Sequence, residues 1–327
     1  MAGSATLEPI LRVEHLYKYF SVAKGFKARR LRALNDVSFS LHPREVIALV
    51  GESGSGKSTV AKVLSRLEQP SSGRVWFKGN DILAAEPRRA SLAYRGKVQM
   101  IFQDPFGSLN PLHSVRHHLA RPLVRHHQLQ GAAVDQRVHE LLKTVGLNPP
   151  AEFAAKLPHQ MSGGQRQRVA IARALAVEPE VVLADEPISM LDVSIRMGVL
   201  NLMLQLREER NLAYLYITHD IASARYVADT IMVMYAGQIV ERAPSDELIE
   251  RPRHPYTELL LSAVPDPRRA SAAKVQVVGG SPNLVDPPSG CSFAERCPKA
   301  LPICRQRDPD NVEVAPDHHV RCHLYPG

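Results

Sequence analysis

Hydrophobic positions along this chain change period in a regular way. Over the first fifty residues ILRVEHLYKYF, ALNDVSFSL and EVIALV read as strands separated by turns, and the last run leads straight into glycine. After Gly56 the spacing changes: Val60, Val63, Leu64 and Leu67 recur at helical intervals, so the pattern predicts a buried strand, a glycine-rich turn and an amphipathic helix. Between the first two strands the basic stretch KGFKARRLR reads as a solvated hairpin tip, because runs of charge are usually exposed.

From about Pro111 to Pro158 the spacing is helical, with VDQRVHELLKTVGL ending on a glycine stop before NPP, and this predicts a helical insertion. A helix from Gln165 to about Val177 carries Val169, Ala172 and Ala176 on one face and leads into the apolar strand VVLAD. A further helix over about Ile195 to Arg207 and the strands AYLYITH and IMVMYAG complete the alternation, which predicts an α/β fold with a mostly parallel sheet covered by helices. Ten of the 25 prolines lie from Pro265 onward, so the end of the chain is expected to be an irregular appendage.

Composition narrows the function. Of 327 residues, 44% are hydrophobic and 23% charged, an ordinary soluble globular balance that excludes disorder and collagen-like repetition. Apolar runs such as Val46 to Val50 and Ile231 to Ala236 are far shorter than the roughly 18 to 20 residues of a membrane span. The N-terminal MAGSATLEPILRVEHLYKYF lacks the basic, apolar and small-residue order of a secretory signal, so a cytosolic protein is expected. A net charge of +8 favours polyanions, whether nucleotides, nucleic acid or acidic lipid. All four cysteines fall in the last 37 residues, which argues for one local site, and in a reducing cytosol such thiolates are more often ligands than disulfides.

The chemistry concentrates in short motifs. GESGSGKST, comprising Gly51, Glu52, Ser53, Gly54, Ser55, Gly56, Lys57, Ser58 and Thr59, fits the P-loop pattern between a strand and a helix. Its glycines let backbone N–H groups converge on phosphate oxygens, Lys57 is expected to reach the β and γ phosphates of ATP, and Ser58 to ligate Mg2+. VVLADEP ends an apolar strand on Asp185, where a P-loop ATPase holds its magnesium directly or through water, although an apolar run closed by Asp is also a common plain strand ending; Glu186 follows, a carboxylate suited to orienting an attacking water. MSGGQRQRVAIARAL opens a helix, with Ser162 as a cap and Gly163 and Gly164 leaving the helix start open to an anion.

With these motifs the chain resembles ATP-binding-cassette (ABC) ATPases, whose signature L-S-G-G-Q differs here only by Met161. The resemblance implies a P-loop NTPase cassette over residues 1–264, a helical subdomain over about 104–177 and a tail over 265–327. It also implies that Ser162, Gly163, Gly164 and Gln165 close on the ATP of a partner cassette, so that two cassettes work as a dimer. Gln103 in MIFQDP matches the Q-loop glutamine, which senses Mg2+ and the γ phosphate beside the contact with a membrane subunit. SMLD resembles the D-loop, with Met190 in place of the usual alanine and Asp192 at its end. His219 in YITHD matches the switch histidine, against the plainer alternative of a satisfied strand-end histidine. Phe20 matches the adenine-stacking aromatic, with Tyr19 a near competitor and a core role open to both.

QMIFQDPFGSLNP, LDVSIRMGVLNLM and RHPYTELLLSAVP, with HPYT at His254 to Thr257, resemble the ATPase subunits of dipeptide and oligopeptide importers, more the second, F-type subunit than the first. This implies import of a peptide-like solute, with oligosaccharide, nickel or glutathione as alternatives in the same family. The implied partners are a second cassette in a hetero- or homodimer, two transmembrane permeases and an extracytoplasmic solute-binding protein, with the chain peripheral on the cytoplasmic membrane face. The rival reading, a soluble ABC ATPase acting on nucleic acid or ribosomes, suits the basic charge but not a single uninterrupted cassette, so no nucleic-acid partner is expected. A redox-sensing subunit is a third reading.

Cys291, Cys297, Cys304 and Cys322 follow C-x5-C-x6-C-x17-C, and four thiolates could hold a 4Fe-4S cluster or a tetrahedral zinc. Resemblance to cluster-bearing importer ATPases favours iron; zinc, unligated thiols and substitution by His318, His319 or His323 stay open. Since the cysteines lie outside the cassette, ATP binding is expected to survive loss of that site.

Overall fold

A computed structural model of the chain describes residues 8–24, 27–263, 284–285, 287 and 289–325. The N-terminal segment and residues 264–283, where the proline-rich tail was expected to begin, lie outside the described residues. The chain divides into two compact units.

One unit comprises Glu8–Leu41, Val46–Ala85 and the residues from Tyr216 onward. Strands Leu11–Lys24 and Lys27–Leu41 pair antiparallel from Leu11↔Leu41 to Lys24↔Lys27, and the first also pairs with Ser72–Phe77, whose other edge takes Asn80–Asp81. The basic stretch is therefore mostly strand and not hairpin tip, with Arg29 opposite Val22 and Arg30 opposite Ser21. The physical reason is visible in RRLRAL, where arginines and apolar residues alternate and the exposed Arg29 and Arg30 cost the strand nothing.

In the same unit Val46–Val50 is buried at every position and runs parallel to Thr230–Tyr235, Ile47 opposite Thr230 and Val50 opposite Val233. An apolar run without alternation is what a strand covered on both faces requires. Thr230–Tyr235 pairs antiparallel with Gln238–Pro244, which in turn takes His318–Arg321 through Glu241↔Val320 and Arg242↔His319. Asn311–Ala315 pairs with His318–Arg321 as a hairpin turned at Asp317, whose φ is 58°. Over these residues the tail is not irregular: it adds two strands to the sheet, and Val312 and Val320 face each other across them.

The other unit comprises His42–Glu45 and Glu86–Leu215. Helices Val115–His127, Ala132–Thr144 and Pro150–Ala155 form the expected insertion around Leu119, Leu123, Val138, Leu141 and Leu142, all buried. Gly146, at φ 72°, supplies the left-handed turn that stops the second of them. Strands Val98–Ile101 and Val181–Asp185 pair in parallel, Val98 opposite Val181. Helix Gly163–Leu175 precedes that second strand, and helix Val193–Arg210, three residues longer at its end than the sequence spacing suggests, follows it. Among the described residues no helix is long and apolar enough to cross a membrane.

Candidate nucleotide site

The P-loop lies between strand Val46–Val50 and helix Lys57–Leu64. Gly56 caps that helix at φ 109°, and a Cβ there would come within 2.5 Å of the Ala33 carbonyl oxygen; at Gly51 it would meet the Met234 carbonyl oxygen at 2.2 Å. These two glycines thus serve packing as well as conformation: the loop is pressed against neighbouring backbone where no side chain fits. Gly54, at φ 80°, faces open space, so its requirement is conformational alone. Ser55 anchors the turn, its N–H donating to the Glu52 carbonyl (3.2 Å) and its own carbonyl accepting from Gly237 N–H (2.8 Å).

Lys57 is only 5% exposed, and its ammonium donates to the carbonyls of Gly51 (2.7 Å) and Glu52 (2.8 Å). The cation is thereby held across its own loop, at the positive end of the helix, with Ser53 and Gly54 exposed beside it and Ser58 and Thr59 opening the helix. This donor set fits a polyphosphate, and the Ser58 hydroxyl fits a magnesium ligand. Phe20 sits half-buried in strand Leu11–Lys24 with the Lys18 ammonium 4.6 Å from its ring centre, while Tyr19 packs on Tyr17 at 6.2 Å. His219 is exposed directly after strand Ala213–Thr218.

In the other unit, Asp185 ends its strand 4% exposed, and Glu186 follows in the left-handed region at φ 45°. Gln103 Nε2 donates to Glu186 Oε2 at 3.0 Å. Both the N–H and the Oγ–H of Ser189 donate to the Glu186 carbonyl, at 3.2 and 3.0 Å, which turns the chain toward Asp192. The Asp192 carbonyl accepts from the N–H groups of Ile195 and Arg196 at the head of helix Val193–Arg210. Met190, Val193 and Met197 leave apolar surface exposed along this stretch, Val193 at 77%.

Ser162 caps its helix as expected, but reciprocally. Its Oγ accepts from Gln165 N–H (3.3 Å) while Gln165 Oε1 accepts from Ser162 N–H (3.0 Å), so the glutamine of the signature is part of the cap. A Cβ on Gly164 would lie 2.5 Å from Ile195 Cγ2, and one on Gly163 3.5 Å from Leu191 Cδ2. The signature glycines therefore pack directly on the segment that carries the D-loop.

Sequence reasoning missed the contacts that Arg296 of the tail and Tyr256 make with the P-loop. Arg296 donates from Nη1 and Nη2 to Glu52 Oε2 and Oε1, at 2.8 and 2.9 Å, and Glu52 N–H donates to Tyr256 Oη at 3.0 Å. The carboxylate in GESGSGKST was the available signal, since an anionic side chain in a loop expected to bind phosphate calls for a cation nearby.

The four thiols are free, with Cys304 and Cys322 buried and Cys291 and Cys297 half-buried. Burial pushes the Cys291 thiol up to about 12, and Cys304, Asp308 and Cys322 add to the shift. Burial likewise raises Cys297 and Cys322, with neighbouring thiols contributing, so the four share one neighbourhood. Among the described residues, however, no group of three or more His, Cys, Asp or Glu is arranged to hold a metal ion, and the expected cluster or zinc site finds no support in this geometry. The nearby histidines include two engaged elsewhere: His318 bonds Glu241 at 2.8 Å and His323 the Arg307 carbonyl at 2.8 Å.

Comparison with known proteins agrees with this assembly of motifs. The ABC transporter family matches residues 34–189, and the family described as the oligopeptide/dipeptide transporter C-terminal region matches 240–304. The oligopeptide transport ATP-binding protein AppF of Bacillus subtilis (strain 168) is 44% identical over 98% of this chain and 99% of its own length. The dipeptide transport ATP-binding protein DppF of Escherichia coli (strain K12) is 42% identical over 93% and 92%. Among solved structures, the post-hydrolysis dimer of the ATP-binding cassette MJ0796 with ADP and Pi is 29% identical, with a TM-score of 0.62 over 72% of this chain and 98% of that one. CbiO1 of Clostridium perfringens, part of the ABC transporter complex cbiONQ, is 28% identical with a TM-score of 0.63 over 74% and 91%. With the P-loop, signature and HPYT segment in one chain and relatives matching almost end to end, the chain belongs to the ABC transporter family of ATP-binding-cassette ATPases, in the branch that carries the oligopeptide/dipeptide transporter C-terminal region.

Proposed function

We propose that this chain is the ATP-hydrolysing subunit of an importer for a peptide-like solute. The observation that carries the reading is the near full-length similarity to transport ATP-binding proteins for oligopeptides and dipeptides, tail included. ATP and Mg2+ are the substrates and cofactor of this chemistry. In the proposed division of labour the cassette spans residues 1–264, with its helical subdomain at about 104–177, and the tail spans 265–327. Residues 51–59 would hold the phosphates and Phe20 would stack the adenine, and Ser58, Asp185 and Gln103 are each assigned to magnesium binding. Glu186 orients the attacking water and His219 contacts the γ phosphate. Ser162 to Gln165 and Asp192 serve the interface with a second cassette, and the exposed Met190, Val193 and Met197 support an interface on that stretch.

The further partners in this reading are two permeases and an extracytoplasmic solute-binding protein, with the chain at the cytoplasmic face of the membrane. Co-purification from native membranes tests it: permeases and a solute-binding lipoprotein should accompany the chain, and the loaded binding protein should stimulate ATP hydrolysis. Recovery with ribosomes or nucleic acid in place of membrane subunits would refute it.

A 4Fe-4S cluster on Cys291, Cys297, Cys304 and Cys322 belongs to the same reading, supported by the resemblance and by the shared neighbourhood of the thiols but not by ligand geometry. Metal analysis of anaerobically purified protein decides it: about four irons per chain with matching sulfide for the cluster, one zinc for the alternative.

A further inference from the structure

Glu52 is gripped through both its side chain and its backbone by residues more than 200 positions further along the chain. The Arg296 guanidinium takes the carboxylate in a two-pronged fork at 2.8 and 2.9 Å, and Tyr256 Oη accepts the backbone N–H at 3.0 Å. The carbonyl of the same residue accepts the Lys57 ammonium at 2.8 Å. One residue of the P-loop therefore lies between Arg296 of the tail, Tyr256 near the end of the cassette and Lys57.

The grip is built into the packing. The Arg296 side chain is 8% exposed and its guanidinium lies over the rings of Tyr235 (5.6 Å) and Phe293 (5.8 Å), so aromatic packing as well as Glu52 holds it. Phe293, itself buried, packs on Tyr235 and Tyr256 with ring centres 5.2 and 5.4 Å apart. Tyr256 opens helix Pro255–Ser262, where its N–H is capped by His254 Nδ1 at 3.0 Å. His254 is fixed in turn by Glu241, a carboxylate with no exposed side-chain surface, whose Oε2 accepts His254 N–H at 2.9 Å and whose Oε1 bonds His318 of the tail hairpin at 2.8 Å.

We propose that Arg296 and Tyr256 are positioning residues of the nucleotide site: they hold Glu52, and through it the P-loop, in the form that binds ATP. The proposal rests on the reading of residues 51–59 as that site. Two effects combine. Tyr256 fixes the loop's backbone, and Arg296 cancels a carboxylate that would otherwise repel an incoming polyphosphate. Through Arg296 the tail is then part of the machinery for binding nucleotide.

Charge cancellation predicts a pattern that a purely structural contact does not. In the full-length chain, with Mg-ATP binding followed by a fluorescent ATP analogue, Arg296→Ala should weaken affinity about five- to thirtyfold, within the range of contact couplings. Arg296→Lys should weaken it less, keeping the charge and losing the fork. In the Glu52→Gln background, Arg296→Ala should cost no affinity beyond what Glu52→Gln alone costs. Tyr256→Phe, which keeps the ring in its packing and removes only the acceptor, should weaken binding about threefold and supplies the test if Arg296→Ala does not fold. The kcat of hydrolysis at saturating ATP should stay within about twofold in Arg296→Lys, so that KM carries the effect. Unchanged affinity in Arg296→Ala, or an equal loss with and without the Glu52 charge, overturns the positioning role. Lys57→Ala is the control: if it also binds normally, the assignment of residues 51–59 has failed and the proposal with it, whereas loss there and none in Arg296→Ala refutes the positioning role alone.

Discussion

The Gln103 amide donates to the Glu186 carboxylate across 3.0 Å, joining two residues 83 positions apart. The bond orients the carboxylate and occupies one of its oxygens, while the left-handed backbone at φ 45° sets where the side chain leaves the strand end. A non-glycine residue held there costs of order 1 kcal/mol or more, and such strain concentrates where position matters chemically. The two side chains singled out for γ-phosphate chemistry are thus already coupled within one unit.

Glu186→Gln should separate orientation from basicity. The glutamine can still accept from Gln103 through its amide oxygen, so the local arrangement survives, but it cannot take up a proton from water. Hydrolysis should fall at least about 100-fold with ATP affinity near wild type. Phosphate release and nucleotide binding measured on the same preparation check this, and turnover close to wild type would remove Glu186 from its proposed role.

Lys57→Ala should weaken ATP binding about 100-fold or more, because it deletes both the proposed phosphate contact and two bonds that brace the loop at Gly51 and Glu52. Lys57→Arg should also bind poorly, since the larger planar group does not fit a side chain that is 5% exposed. Equilibrium binding of radiolabelled ATP distinguishes these outcomes; an arginine variant with full affinity would show that charge alone suffices.

Gly164→Ala should lower the thermal midpoint, because the new methyl group would sit 2.5 Å from Ile195 Cγ2, on a β-branched side chain with little freedom to turn away. Adding Ile195→Ala should restore much of that loss, making the pair strongly non-additive. Independent, additive effects in a thermal unfolding series would mean that the glycine is required for some reason other than packing on helix Val193–Arg210.

What the sequence displayed plainly was local. The P-loop, the capped signature helix and the strand ending at Asp185 each depend on residues within one turn or strand, so their spacing carries their conformation. The Glu52–Arg296 pair spans 244 positions and has no local correlate. The basic segment after Phe26 was misread because its charge outweighed the alternation of RRLRAL. The tail hairpin was misread because prolines masked the alternation of NVEVA and HHVR on either side of the turn at Asp317. Composition described these segments, and period described their structure.

His254 gives the tail's anchor a dependence on pH. It is fully buried, and burial lowers its pKa to about 4, opposed only in part by the Glu241 carboxylate. In the folded chain its Nδ1 must stay unprotonated to accept the Tyr256 N–H. The unfolded chain takes up this proton near the ordinary histidine value of about 6.5. The folded pKa is the lower one, so the contribution is fully present above about pH 6.5, falls as pH drops, and is gone below about pH 4. A shift of this size corresponds to about 3 kcal/mol across that window. His254→Asn replaces the ring nitrogen with an amide oxygen that can still cap the helix and does not titrate. The variant should therefore lose less stability than the parent between pH 6.5 and 4.5, whatever their difference at neutral pH. Urea unfolding midpoints at pH 7, 5.5 and 4.5 measure this, and parallel losses in the two proteins would mean that His254 does not carry the acid sensitivity.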